Sequence, residues 1–527
     1  MKNRLILIIV FSLLCFCVFF AQKRDDSPPK QQTKIYLEHA DSVTFDQQLT
    51  PDYRVLRGNV AFRHDSSYMY CDSAYFYDKN NSIEAFSNVR MEQGDTLFIY
   101  GHWLYYDGNI QLARLRENVR MENNQVTLFT DSLNYDRATN IGYYFDGGLI
   151  VDEDNELSSY YGQYEPNTKL AIFNDSVRLE NPQFILYSDT LHYNTNSKIA
   201  TILGPSVIVS DSGTVYTSRG WYNTETNLSL LLDQSHVVSG NRILIGDSIV
   251  YNKEEGFSEV FGNMSLRDTT QKITLEGQYG YFDEKTEFAF ATDSARFLEY
   301  SQGDTLYLHA DTLLMATIDS TFREITAYYG VRFFRTDMQG ICDSMQFNTR
   351  DSILYMYTDP ILWNEEYQIY GDTIVVFLND STIDYAHVRQ FAFAIQQVDS
   401  SYYYYNQLRG NDLKAYFEGK AVRQIDVSGN AESIFYPIED DGVINVLNST
   451  KSAYLSIWVV ENKFDKLKFW PEVQGLTIPI PNLAPDQKTL KDFHWFDYIR
   501  PKDKDDIYQV VKRKTGDAPK RSNKFVF

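Results

Sequence analysis

The 527 residues could make several ordinary domains or one long repeat array, so length leaves the domain count open. Forty Tyr and 34 Phe against 14 Pro, with abundant Asp, Asn, Ser and Thr, fit strands joined by tight polar turns and argue against a helical or disordered chain. A formal charge of −22 argues against a nucleic-acid partner, whose phosphates are held mainly by Lys and Arg.

At the N-terminus Lys2 and Arg4 precede an apolar run from Leu5 to Ala21, the layout of a signal peptide with cleavage after Ala21. The competing reading is an uncleaved anchor, for which this run is at the short limit. Lipidation at Cys15 or Cys17 is disfavoured, because small residues do not precede them. Either way the body, after a linker over 22–34, is exported. Only Cys71 and Cys342 remain beyond the leader, too few for a disulfide framework.

From residue 35 a short phrase returns about every thirty residues. It reads Gly58-Asn59-Val60-Ala61-Phe62, Ser87-Asn88-Val89-Arg90-Met91, Glu117-Asn118-Val119-Arg120-Met121 and Gly262-Asn263-Met264-Ser265-Leu266, with weaker copies at Gly204-Pro205-Ser206-Val207-Ile208-Val209 and Tyr329-Gly330-Val331-Arg332-Phe333. A second phrase is interleaved: Asp41-Ser42-Val43-Thr44-Phe45-Asp46, Asp131-Ser132-Leu133-Asn134-Tyr135-Asp136, Asp189-Thr190-Leu191-His192-Tyr193-Asn194, Asp247-Ser248-Ile249-Val250-Tyr251-Asn252 and Asp343-Ser344-Met345-Gln346-Phe347-Asn348. The last four copies start 58, 58 and 96 residues apart, which is two, two and three units. Turn formers such as Gly94-Asp95 and Asn123-Asn124 lie between the phrases, so each unit reads as two long antiparallel strands.

Ser87-Asn88 and Asp131-Ser132 interrupt those strands at the middle and predict a bend there. A row of bent strands makes a sheet of V-shaped section with an inner trough. Side chains alternate along a strand, which places Val60, Phe62, Val89, Met91, Val119, Met121, Leu133, Tyr135, Leu191, Tyr193, Val207, Val209, Ile249, Tyr251, Met345 and Phe347 on the trough side. Alternation establishes a buried face and leaves open whether that face packs dry or holds a ligand.

The two phrases together resemble the OstA repeat of the OstA/LptA family, over about three quarters of the chain (residues 35–436). The resemblance implies an all-β, long repetitive antiparallel β-jellyroll (β-taco) of about thirteen two-strand units. It further implies a periplasmic bridge that carries lipopolysaccharide, its lipid A acyl chains shielded by the sixteen trough residues above. Inner- and outer-membrane components of the transport machinery would join by edge-strand addition. A structural or adhesive rod without lipid cargo is the alternative reading, and association with either membrane is left open.

Beyond Tyr436 the repeat fades into an irregular C-terminal cap over 437–500. Within it Ser452–Val460 and Lys466–Trp470 suggest a hairpin, and Lys488–Ile499 a short amphipathic helix, a partner contact or a packed cap. A basic, disordered tail is expected over 501–527. Catalysis finds no support: the eight His are scattered, no metal-ligand spacing or phosphate loop occurs, and neither metal nor cofactor is expected.

Overall fold

The computed structural model describes residues 33–300, 303–319, 322–379, 382–399, 404–419, 421–439, 442–461 and 463–514. The leader, all but the last two residues of the linker, and the tail from 515 onward lie outside them. By backbone contacts the chain divides into two units, Met1–Glu153 with Ser159–Lys169, and Asp154–Ser158 with Leu170–Phe527.

In the first unit the strands Arg54–His64, Ser67–Tyr77, Ser82–Gln93, Leu97–Asp107, Leu112–Asn123 and Val126–Asp136 pair antiparallel in succession. Alternate strands bend at two consecutive left-handed residues: Gly58-Asn59 (φ 77° and 45°), Ser87-Asn88 (61° and 47°) and Glu117-Asn118 (65° and 51°). Each pair opens a bulge in the ladder, for example between Phe86 and Val89, and a bulge bends its strand sharply.

The second phrase behaves differently from the expectation. Its Asp-Ser residues have no left-handed conformation; the Asp instead braces the bend of the neighbouring strand. Asn59 Nδ2 donates to Asp41 Oδ2 (3.0 Å), Asn88 Nδ2 to Asp72 Oδ2 (2.7 Å) and the Asn118 backbone N–H to Asp131 Oδ1 (3.1 Å). The interleaved phrases are therefore two sides of one joint. Glycine leads the first phrase where the brace presses closest: a Cβ on Gly58 would sit 2.2 Å from Asp41 Oδ2.

Further along the unit, at Phe145-Asp146-Gly147, the bend becomes a break. Ile141–Tyr144 and Gly148–Asp152 are separate strands, yet both pair with Val126–Asp136, one with each half. That interruption is why the phrase fades there in sequence.

The strand halves form two facing arms. Arm A carries residues such as 73–77 and 103–107, arm B those such as 60–64 and 89–93. Their inner faces meet: the Phe62 and Phe76 rings are 5.6 Å apart, and a Cβ on Gly142 of arm A would lie 3.1 Å from Met121 Sδ of arm B.

The second unit repeats the joint at Asp175-Ser176, Asp233-Gln234, Gly262-Asn263, Tyr329-Gly330, Gln390-Phe391 and Gly429-Asn430. Its strands lengthen towards the end, to 18 residues in Thr382–Asp399 and 15 in Tyr404–Glu418, Ala421–Phe435 and Val446–Val460. The pattern runs past Tyr436, where the sequence repeat fades, because only the connection containing Pro437 departs from the rung spacing. Val446–Val460 pairs along Ala421–Phe435, and its two halves pair in turn with Lys463–Trp470 and Gln474–Pro479.

After Pro479 the chain turns back across the outward face of arm B. It makes short 3₁₀ turns at Pro485–Gln487, Asp497–Ile499 and Asp506–Tyr508, and no α-helix forms over Lys488–Ile499. Glutamine side chains hold this strap as a strand would. Gln407 donates to the Lys488 carbonyl (2.9 Å) and accepts from the Leu490 N–H (2.8 Å), and Gln368 does the same with His494 and Phe496 (2.8 Å each). Leu490, Phe496 and Ile499 are buried against Phe393, Trp363 and Ile361.

Candidate functional site

The space between the arms is the candidate site, and cross-strand register explains how it is filled. In the first unit one inward row of arm A runs Ile83, Tyr106, Ala113, Tyr135, Gly142, Tyr164, each opposite the next. In the second unit the same row runs Ala171, Tyr193, Ala200, Tyr222, Ser229, Tyr251, Ser258, Phe282, Ala289. Large rings alternate with small residues, the interdigitation that fills an interior without voids.

The phenols reach the opposite arm near the turns. Tyr135 O–H donates to Gln93 Oε1 (2.7 Å), Tyr164 O–H to Asn123 Oδ1 (3.4 Å), and Asn155 Nδ2 donates to the Tyr193 hydroxyl (3.1 Å). Near the first rung, Tyr106 and Arg137 of arm A both reach His64 Nδ1 of arm B (2.6 and 2.9 Å), while His64 Nε2 lies 3.1 Å from the Thr33 carbonyl. That geometry suits a neutral imidazole. Burial, then the Arg137 charge, holds His64 below its ordinary pKa, and burial pushes the Tyr106 phenol up to about 12.

Most residues placed on the trough side by alternation are sealed inside. Val60, Phe62, Val89, Met91, Val119, Met121, Leu133, Tyr135, Leu191, Tyr193 and Ile249 are each at most 2% exposed, and Tyr251 is buried. Two placements are corrected: Val207 and Val209 lie on the outward side, Val209 at 42% exposure, and Ile208 points inward opposite Val215. The bend here is an outright break at Gly204-Pro205, but the phase is kept: Ser206, opposite Ser188, takes the inward place that Val60 and Val89 hold in other rungs, which leaves Val207 and Val209 outward.

Beyond Ala289 the tyrosine rule ends. The same inward row continues as Met315, Ile325, Phe347, Leu354, Val376. At that point two ion pairs cross the mouth, Arg242 to Glu287 (2.5 Å) and Arg323 to Asp268 (3.1 Å). Burial opposes ionisation of Asp268, but the Gln271 N–H and Arg323 together hold its carboxyl below the usual range.

Next to Arg323 an inner cavity of about 330 Å³ opens between the arms, lined by Phe297, Leu308, Phe333 and Met338 of arm B and by Met345, Phe347 and Leu354 of arm A. A terminal cavity of about 400 Å³ follows at the last rungs, between Ala394, Leu408 and Ser433 on arm B and Ile425, Ile457, Leu467 and Phe469 on arm A. Ile374, Val388 and Leu413, all at most 1% exposed, fill the interior between them. Of the sixteen candidate residues Met345 and Phe347 border the inner cavity, Tyr251 borders a void of about 20 Å³, and Val207 lines an outward cleft. The last part of the terminal lining, including Ile457, Leu467 and Phe469, falls in the region assigned to a cap, although the alternation Lys466-Leu467-Lys468-Phe469 carried its signal, and the rest lies in the region assigned to the repeat array. Among the described residues no cluster of His, Cys, Asp or Glu could hold a metal.

Fold and interior together define a protein of the β-jellyroll class in which two arms of bent antiparallel strands enclose an apolar space. Residues 32–189 match the family described as OstA-like protein, and the later rungs repeat the phrases of that stretch. No curated protein matches the chain. Among solved structures, the chain is similar to LptH from Pseudomonas aeruginosa, titled the LptA homologous periplasmic component of the conserved lipopolysaccharide transport device. Identity is 11%, coverage 32% of this chain and 80% of that chain, and the TM-score 0.09, a level from which nothing further is argued.

Proposed function

We propose that the protein is a periplasmic lipopolysaccharide-binding and transport bridge of the cell envelope that shields acyl chains between its arms. The observation that carries this reading is the pair of apolar cavities at the inner and terminal rungs, of a size and lining suited to apolar ligands. The OstA-like match over 32–189 supports it. Exposed edge strands also support joining to envelope components by strand addition, Tyr36–His39 and Ser42–Thr44 in the first unit and Lys463–Trp470 in the second.

The sealed interior of the earlier rungs favours a second reading for that part, a structural spacer without cargo. The two are separated by photo-crosslinking in living cells at Leu354 and Ile457, in the cavities, at sealed Val89, and at outward Arg90. Lipopolysaccharide adducts at Leu354 and Ile457 but not at Arg90 are expected. An adduct at Val89 as well would mean that the arms part during transport. A folded, exported protein with no adduct at any position would leave only the spacer.

A further inference from the structure

The two cavities differ from a continuous trough in a way that limits the ligand. An apolar cavity of about 150 Å³ accommodates one benzene ring, six carbons. On that scale the inner and terminal cavities, about 330 and 400 Å³, each accommodate roughly thirteen to sixteen carbons. The interior between them is filled by Ile374, Val388 and Leu413. On the inner side, Arg323 and Asp268 close the mouth at 3.1 Å, and the tyrosine rungs seal the interior from there towards Leu170.

We propose that the inner and terminal cavities are two separate sites, each for a single unbranched acyl chain, so that the ligand accepted without further opening is a singly or doubly acylated amphiphile. The proposal rests on the lipid reading above. The chains lie on aliphatic walls, and the polar heads remain at the rims. The inner rim presents Gln271, Thr349 and Ser352 beside Arg323 and Arg335. Both arginines are already engaged, with Asp268 and with Asp337 (2.6 Å), and Glu299 adds a carboxylate, so the rim presents no excess of positive charge. The terminal rim is rich in carboxamides, Asn364, Gln396, Asn406 and Asn448, with Glu365 and Glu366 and without Lys or Arg. That lining matches hydroxyl- or amide-bearing heads better than free phosphate, which asks for cationic partners.

The test uses the full chain, stripped of lipid, with the uncharged 11-(dansylamino)undecan-1-ol as probe, its stoichiometry counted by native mass spectrometry and fluorescence titration. Two probes per chain are expected. Leu354→Trp fills the inner cavity and Ile457→Trp the terminal one; each should retain one probe at an affinity within about twofold of the unaltered chain, and the double variant none. Ile457→Phe and Leu354→Phe, smaller changes, guard against loss of folding and should weaken only their own site. One shared site, or loss of both probes from either single variant, overturns the proposal. Binding of more than two chains would overturn it while leaving the lipid reading intact; no binding at all would end both.

Discussion

At the residue scale, closure of the interior depends on tyrosines set opposite Ala, Gly or Ser. At Tyr135 and Tyr164 the ring fills the gap between arms and the hydroxyl finds a partner on the far side, whereas Ser258 Oγ, opposite Tyr251 and Phe282, is buried without a hydrogen-bond partner. Tyr135→Ala removes both contributions and should cost about 3–5 kcal/mol, read as a shift in the unfolding transition of the first unit. Tyr135→Phe keeps the packing and should cost about 1 kcal/mol, because Gln93 is half-buried and water can replace the phenol. His64 adds a pH dependence. Its folded-state pKa lies below the unfolded value of 6.5, so unfolding takes up a proton as pH falls through that value. The stabilisation is complete above about pH 7.5 and is lost as pH drops through 6.5 towards the folded pKa. Thermal melts from pH 8 to 5 should show a decline in the unaltered chain that His64→Gln reduces by up to one proton's worth of slope.

At the element scale the unit of construction is the braced bend rather than the strand. A strand carrying Ser87-Asn88 or Gly262-Asn263 turns because Asn adopts left-handed backbone at small cost and Asp72 or Asp247 accepts its amide. Asn88→Ala loses both and should destabilise by about 1–2 kcal/mol, measured by denaturation, whereas Asn88→Gly recovers the backbone part. The strap is a second element with its own logic. Gln339, Gln368 and Gln407, each at most 3% exposed, stand on successive parts of arm B and offer their carboxamides to a chain that has no strand to pair with. Gln368→Ala removes the side chain that accepts from the Phe496 N–H and donates to the His494 carbonyl. Hydrogen exchange over 488–500 should then rise at least tenfold, while exchange in Arg242–Asn252 stays unchanged.

At the scale of the whole second unit, one sheet carries a sealed interior and an open one. The difference lies in which side chain occupies the inward row: Tyr193, Tyr222 and Tyr251 in the sealed part, Ile325, Leu354 and Val376 in the open part. At the terminal cavity strand length differs as well, with strands of 15 to 18 residues, whereas the inner cavity is built on strands such as Met338–Asn348, no longer than those of the sealed part. The sealed part should therefore be convertible. Replacing Tyr222 and Tyr251, which flank Ser229, by Ala should create a third acyl-chain site, seen as one additional dansylamino-undecanol bound per chain with the circular dichroism spectrum unchanged. Failure to gain that site in the folded variant would show that closure does not depend on the rings.

The all-β class, the rung period, the bends and most of the inward face were legible in the sequence, because each is a local property: turn chemistry, left-handed Asn and Gly, and period-two alternation. Val89, Met91 and Leu133 follow from alternation alone, whereas Val207 and Val209 are misplaced because polar Ser206 takes the inward place that Val60 and Val89 hold and so hides the phase. Whether the interior is empty is not local. Tyr135 and Phe347 occupy the same place in the same phrase, yet one is sealed and the other borders a cavity. The outcome depends on what stands opposite, on the other arm and on the neighbouring rungs. That matching of volumes between residues about forty positions apart, as in Tyr135 with Gln93, exists only once the arms have folded together.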